Sequence, residues 1–272
     1  MTTADSNFLD FAMLNGKVMP AAALKVSPLG AGFMFGEGFF ESVRVEDSQV
    51  RFFDAHYARL AISLGYFDAE PIAPRTDLEN RCAAVIDANS LVSGSLKIVV
   101  FKDVAGWGEL IVARPAAYPA SRYETGFALK TVPGDLRVDP LHALKSLNYL
   151  ANIRAKRIAL DDGFDEALLI DPQRRVLEGA TTTVFMVKDQ VVSTPSLHSG
   201  ILPGVMRACV IQLLASQGVR ECDIDIAELR EADEVFVTNA LLGVMPVARV
   251  DAASYDFANN NVTRSLMESL RA

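Results

Sequence analysis

Lys145 opens the stretch Lys-Ser-Leu-Asn-Tyr-Leu-Ala-Asn, and the residues just before it, Leu141, Ala143 and Leu144, are largely apolar. A lysine desolvated at such a boundary becomes a better amine nucleophile toward an aldehyde. The same placement also suits a lysine that lays its stem on apolar surface and keeps its ammonium in water, so the chemistry needs companions. Glu178, in Val176-Leu177-Glu178-Gly179-Ala180, sits between two apolar segments, where a carboxylate could hold a ring nitrogen protonated or simply face water in a turn. Gly200-Ile-Leu-Pro203-Gly204-Val205-Met206-Arg207 leads into a helical pattern whose first N–H groups and dipole suit an anion. Arg59, in His56-Tyr-Ala-Arg59-Leu60, offers a planar cation for the same anion, or a surface position on an amphipathic helix.

The elements that position these groups follow from turn signals and periodicity. Phe8–Leu14 and Lys17–Met19 read as a hairpin around Asn15-Gly16. Phe39–Val45, Gln49–Phe53, Leu96–Phe101 and Glu109–Ala113 read as strands, and His56–Leu64 and Asp77–Asn89 as helices. A proline-rich passage centred near Ala116–Glu124 is the expected linker, dividing the chain into domains at 1–118 and 119–272. Beyond it, strands are expected at Phe127–Val132, Glu166–Ile170, Thr182–Val187, Glu234–Thr238 and Val244–Val250. Helices are expected at Ser146–Leu160, Val205–Ser216 and Val262–Leu270. Strands and helices mixed without regular alternation favour an α+β fold.

Composition narrows the function classes. The 272 residues carry a formal net charge of -8 and no basic stripe, which argues against nucleic acid as a partner. No apolar run is long enough to cross a bilayer, and Met1–Asp10 lacks a basic leader segment, so neither membrane nor secretion is expected. Cys82, Cys209 and Cys222 form no CxxC pair, and His56, His142 and His198 have no ligand-spaced neighbours; a cytoplasmic, metal-free protein is the expectation.

Several motifs in order then carry a resemblance. Phe35-Gly-Glu-Gly-Phe-Phe40-Glu41-Ser-Val-Arg44 followed by His56-x-x-Arg59-Leu60 resembles the N-terminal signature of the class IV (fold-type-IV) aminotransferases. Lys145-Ser-Leu-Asn-Tyr149, Gly163–Asp171, Glu178-Gly179, Gly204–Arg207 and Ala232–Val247 resemble its catalytic half. The resemblance implies a small N-terminal α+β domain, a larger C-terminal pseudo-barrel domain, a homodimer, and pyridoxal 5'-phosphate between the domains. It implies that Lys145 carries the cofactor and moves the proton, and that Glu178 pairs with the pyridine nitrogen. Arg59 and the backbone of Val205 and Met206 would hold the phosphate, Thr238 would add a hydroxyl, and Tyr149 would reach the ring oxygen. One departure stands out: Thr183 occupies a position where the family usually has asparagine.

Within the family, the pattern is most similar to 4-amino-4-deoxychorismate lyases, particularly at Gly204–Arg207 and Asn239–Val247. Phe40 replaces the tyrosine of D-amino-acid aminotransferases, and their Arg-x-His pair is absent after Leu96–Phe101. The expected reaction releases pyruvate and 4-aminobenzoate, a step in folate biosynthesis. Transamination of branched-chain or D-amino acids with 2-oxoglutarate is the alternative, and a non-catalytic cofactor-binding homologue a third. Phe40, Arg44, Lys97, Lys102, Asn239 and Ala240 are the candidate substrate contacts.

Overall fold

The computed structural model describes residues 8–115, 118–134, 140–256 and 260–270. The start of the expected leader-free N-terminus and two residues of the expected linker, 116 and 117, lie outside these. The chain forms two compact units, Met1–Ala117 with Leu144–Asn148, and Tyr118–Ala143 with Tyr149–Ala272. The segment that carries Lys145 thus belongs to the first unit, although it lies well beyond that unit's main span in sequence.

The first unit has strands β1 (Phe11–Leu14), β2 (Lys17–Pro20), β3 (Gly38–Glu46), β4 (Gln49–Val50), β5 (Gly94–Asp103) and β6 (Gly106–Pro115). Its helices are α1 (Ala31–Phe35), α2 (Phe53–Gly65) and α3 (Arg75–Ala88). The sheet order is β2-β1-β6-β5-β3-β4. The β1–β2 hairpin turns on Asn15 and Gly16, both at positive φ (49° and 79°), the conformation an Asn-Gly hairpin turn requires. Alternation then sorts the sheet's two faces. Phe39, Glu41, Val43 and Val45 stand opposite Val100, Ile98, Leu96 and Gly94, so they share the face that packs with Leu60 and Leu64 of α2 and Cys82, Val85 and Ile86 of α3. Phe40, Ser42, Arg44, Lys97 and Val99 share the other face. The strand expected over Gln49–Phe53 stops at Val50, because Phe52 takes φ +55° and Phe53 already begins α2.

The second unit has α4 (Ser121–Thr125), β7 (Phe127–Pro133), α5 (Leu150–Asp161), β8 (Glu166–Ile170), β9 (Val176–Gly179), β10 (Thr183–Lys188) and β11 (Val191–Pro195). It continues with α6 (Val205–Leu213), β12 (Val219–Cys222), α7 (Ile226–Arg230), β13 (Glu234–Asn239), β14 (Gly243–Val250), β15 (Ala253–Ser254) and α8 (Asn261–Ser269). The sheet order is β12-β11-β10-β13-β14-β7-β8-β9, with β15 beside β14. Its two ends meet. The Val176 N–H at the start of β9 donates to the Ile224 carbonyl just past β12 at 2.8 Å, and Arg175 bridges Asp225. The sheet therefore rolls back on itself. Its central strands bury both faces, with Val184 and Met186 on one side and Phe185 stacked on Phe236 at 4.9 Å on the other.

Two expectations near the chemistry need correction. The helix placed at Ser146–Leu160 begins only at Leu150. Residues 145–147 run instead beside β3: Phe40 N–H donates to the Lys145 carbonyl and Leu147 N–H to the Gly38 carbonyl, both at 2.9 Å. Lys145 is thus held by a long-range strand pairing and not by a helix start. Glu178, placed in a connection, lies in the strand β9, all four residues of which are buried. The strands β11 and β12 and the helices α1 and α7 were not foreseen. Serine, threonine, proline and charged residues interrupt the first two, and the helices are single turns.

Candidate active site

In the first unit, the face of β3 and β5 turned away from α2 and α3 gathers Phe40, Lys97 and Lys145. The Lys97 ammonium lies 4.4 Å from the centre of the Phe40 ring, and the Lys145 ammonium lies 4.6 Å from it. Phe40 is buried, whereas both lysines are part-exposed, so one aromatic ring attracts two cations at the border of solvent. The strand pairing explains the meeting: Lys97 stands opposite Ser42, two residues from Phe40, and Lys145 is bonded through its carbonyl to Phe40 itself. Arg44 lies further along the same face and pairs with Glu46 at 2.5 Å. Lys102 is not part of this group; it faces its cross-strand partner Trp107, 5.3 Å from the ring.

Arg59 projects from α2 on the helix-covered face. Its Nε and Nη2 donate to the two oxygens of Glu41 at 2.8 and 2.7 Å, and His56 Nδ1 approaches Glu41 Oε2 at 2.7 Å. Burial raises the Glu41 pKa, but the hydrogen bonds from Arg59 and His56, with their charge, outweigh it and hold the carboxyl down at about 2. Glu41 is therefore an ionised acceptor, and the proton it shares with His56 belongs to Nδ1. Sequence reading gave Glu41 no role. Its signal was a carboxylate on the parity of Phe39, Val43 and Val45, the core side of β3.

In the second unit, the groups converge on the entrance to α6. Glu178 is buried and accepts the Leu202 N–H at 3.1 Å, which ties β9 to the loop that enters the helix. Gly204 is the N-cap, with no side-chain cap on the helix, so the first N–H groups of Val205 and Met206 carry the positive end of a nine-residue helix. A Cβ built on Gly204 would fall 2.9 Å from the Thr183 hydroxyl, so glycine admits that hydroxyl to the helix entrance. Thr183 pairs directly with Thr238 across β10 and β13, so both side chains point the same way. The Thr238 hydroxyl is buried and has no hydrogen-bond partner among the described residues.

Other groups brace this entrance. Arg207, in the first turn of α6, is buried and donates to the Pro195 carbonyl at 3.0 Å and to Glu221 at 2.6 Å, fixing the helix to β11 and β12. Tyr149 and Asn152 both donate to the Ala180 carbonyl at 2.8 Å, which holds the chain after Glu178. Asn239 serves the turn between β13 and β14: its Oδ1 accepts from Leu241 and Leu242, and its Nδ2 donates to the Thr181 carbonyl. Ala240 lies in that turn. An uncapped helix start, a glycine at closest approach and a buried hydroxyl without a partner fit a bound phosphate.

Comparison with known proteins agrees with the motif order. The family described as amino-transferase class IV matches residues 38–250. A Methanocaldococcus jannaschii protein, provisionally named a branched-chain-amino-acid aminotransferase, is 30% identical over 271 residues, covering 95% of this chain and 94% of that one. An aminodeoxychorismate lyase of Vibrio harveyi is 29% identical over 260 residues, covering 89% of this chain and 95% of that protein. The solved branched-chain amino acid aminotransferase of Escherichia coli matches with a TM-score of 0.89 at 26% identity, covering 97% of this chain and 94% of that one. The expected α+β, fold-type-IV architecture is the one found. The chain belongs to the class IV aminotransferase family, whose members are pyridoxal-phosphate-dependent enzymes.

Proposed function

We propose that this chain is a 4-amino-4-deoxychorismate lyase, releasing pyruvate and 4-aminobenzoate in folate biosynthesis. The observation that carries this reading is the pair of ammonium groups, Lys145 and Lys97, on the ring of Phe40. A dicarboxylate substrate needs a cation beside the catalytic amine, and Phe40 offers no hydroxyl with which to orient an ordinary amino acid.

Pyridoxal phosphate supplies a pyridinium ring that draws off the negative charge left on a substrate carbon when its proton departs. Lys145 carries the cofactor and moves that proton. Glu178 keeps the ring nitrogen protonated, and its bond from Leu202 fixes where the carboxylate points. The Val205 and Met206 N–H groups, the Thr238 hydroxyl and Arg59 would hold the phosphate, and Tyr149 would donate to the ring oxygen on giving up its bond to the Ala180 carbonyl. Lys97 and Arg44, on one strand face with Phe40, receive the substrate carboxylates, whereas Lys102, turned to Trp107 on the other face, takes no part in this reading. Loss of the ring proton to Lys145 would be matched by cleavage of the ring C–O bond, so that the enolpyruvyl group leaves as the enol of pyruvate and takes up a proton, and the aromatic ring gained would drive the elimination. The working unit is proposed as a homodimer, supported by Leu29, Phe33, Met34 and Phe35, large apolar side chains exposed together around α1.

The test supplies the purified protein with aminodeoxychorismate, and separately with D-alanine or L-leucine and 2-oxoglutarate. The lyase reading expects 4-aminobenzoate and pyruvate from the first mixture and negligible amino transfer in the others. Fast transfer without 4-aminobenzoate overturns it in favour of an aminotransferase, the activity named for two of the proteins compared above. Lys145→Ala is expected to abolish turnover and the near-visible absorbance of the bound cofactor.

A further inference from the structure

Glu41 is a carboxylate where the strand pattern calls for an apolar side chain. It lies on β3 between Phe39 and Val43, opposite Ile98, and its side chain is 2% exposed. The two groups that meet it, His56 (1% exposed) and Arg59 (12% exposed), are three residues apart on α2 and so share one helix face. Stability alone is a poor reason for this arrangement. Replacing a buried ion pair with apolar residues of similar volume is often neutral or stabilising, and the neighbouring positions are filled with phenylalanine, valine and isoleucine.

What the carboxylate does achieve is orientation. Both of its oxygens engage one edge of the guanidinium, at Nε and Nη2. A two-point contact fixes the plane of the group as well as its position, which a single bond would not do. His56 fixes the carboxylate in turn, through Nδ1 on Oε2. Glu41 takes two of the five N–H donors an arginine has, and the plane it sets decides where the remaining edge points.

We propose that Glu41 is a positioning residue for the cofactor phosphate, acting through Arg59, with His56 holding the carboxylate in register. This inference rests on the reading of Arg59 as a phosphate contact. Arg59 meets the phosphate with its orientation already set, so the long side chain loses little freedom on binding.

The experiment is a double-mutant cycle on the full chain, stripped of cofactor and titrated with pyridoxal phosphate, with the melting temperature of each apo-protein as the control for folding. Glu41→Gln keeps the shape but leaves one acceptor and sets an amide N–H₂ against the arginine. It is expected to weaken cofactor affinity about tenfold, roughly the effect of losing one charge-assisted bond. The double variant Glu41→Gln/Arg59→Ala is expected to bind no more weakly than Arg59→Ala alone, because Glu41 acts only through Arg59. The phosphorus resonance of bound cofactor should also move in Glu41→Gln. If Arg59→Ala weakens binding while Glu41→Gln does not, or if the two losses multiply, the positioning role is overturned and the phosphate reading of Arg59 stands. If Arg59→Ala leaves affinity unchanged, both fall. Glu41→Asp, which keeps the charge but shortens the reach, gives the same comparison if the glutamine variant does not fold.

Discussion

Glu178 accepts a hydrogen bond from the backbone N–H of Leu202 at 3.1 Å. Leu202 stands two residues before the N-cap of α6, so one short link connects the buried carboxylate of β9 with the start of the helix. In the proposed site the first governs the pyridine end of the cofactor and the second its phosphate. Glu178→Gln retains an oxygen for Leu202 but cannot hold a pyridinium proton. The variant is expected to bind pyridoxal phosphate near normally while turnover falls by about a hundredfold or more. Cofactor titration beside single-turnover kinetics checks this; lost binding with normal turnover of the residual holoenzyme would contradict the assigned role.

Lys97→Met keeps most of the apolar stem and removes the ammonium that shares the Phe40 ring with Lys145. If Lys97 receives a substrate carboxylate, kcat/KM for aminodeoxychorismate should drop by roughly 10- to 150-fold, the worth of a charge-assisted hydrogen bond. Affinity for the cofactor should stay within about twofold, since a charge contact with the substrate alone leaves cofactor contacts in place. Steady-state kinetics and a cofactor titration on the same preparation separate the two effects.

Gly204→Ala tests the approach to α6. The backbone there has φ -65° and tolerates alanine, so any effect comes from the added methyl, 2.9 Å from the Thr183 hydroxyl. Cofactor affinity should fall by about tenfold as that hydroxyl is pushed out of the helix entrance. Adding Thr183→Ala should relieve the crowding and recover part of the melting temperature. An unchanged cofactor affinity in Gly204→Ala would remove this entrance from the phosphate site.

The depressed pKa of Glu41 makes a pH prediction. Its folded value of about 2 lies below the ordinary 4.5, so the ionised form is favoured by folding. Its contribution is fully present above about pH 4.5 and is lost progressively as the pH falls toward 2. The shift corresponds to about 3 kcal/mol. Denaturant unfolding of the wild type should show a loss of stability across that window that Glu41→Gln lacks; parallel pH profiles would refute the assignment.

Much of this arrangement was legible in the residues, but unevenly. The Asn15-Gly16 hairpin and the strands read at Glu166–Ile170 and Glu234–Thr238 carry strong local patterns, and they form, the last extended by one residue to Asn239. Lys145 and Glu178 were singled out as charged residues in apolar settings, and Arg59 as a planar cation suited to an anion. What local pattern could not supply was long-range pairing. The helix assigned to Ser146–Leu160 lost its first four residues to a bond with β3, more than a hundred positions earlier. Thr183 was noted only as a departure from a family pattern; its meeting with Gly204 depends on the register of β10 with β13 and on the placement of α6. Glu41 was the opposite case. Its parity with Phe39 and Val43 announced a buried carboxylate, but the partner on α2 emerges only when helix and strand are packed.

The closure of the second sheet has a consequence for solubility. A strand that ends a sheet presents unpaired N–H and C=O groups to which another chain can add, the usual route to edge-to-edge aggregation. Here β9 is a terminal strand made wholly of buried residues, and unprotected it would be a template of that kind. Its first N–H is instead taken by the Ile224 carbonyl, Gly179 N–H is taken by Thr182, and Arg175 bridges Asp225. The strand that carries Glu178 is thereby closed to foreign chains at both of its ends, and a variant that opened this seam would be expected to precipitate before it lost its helices.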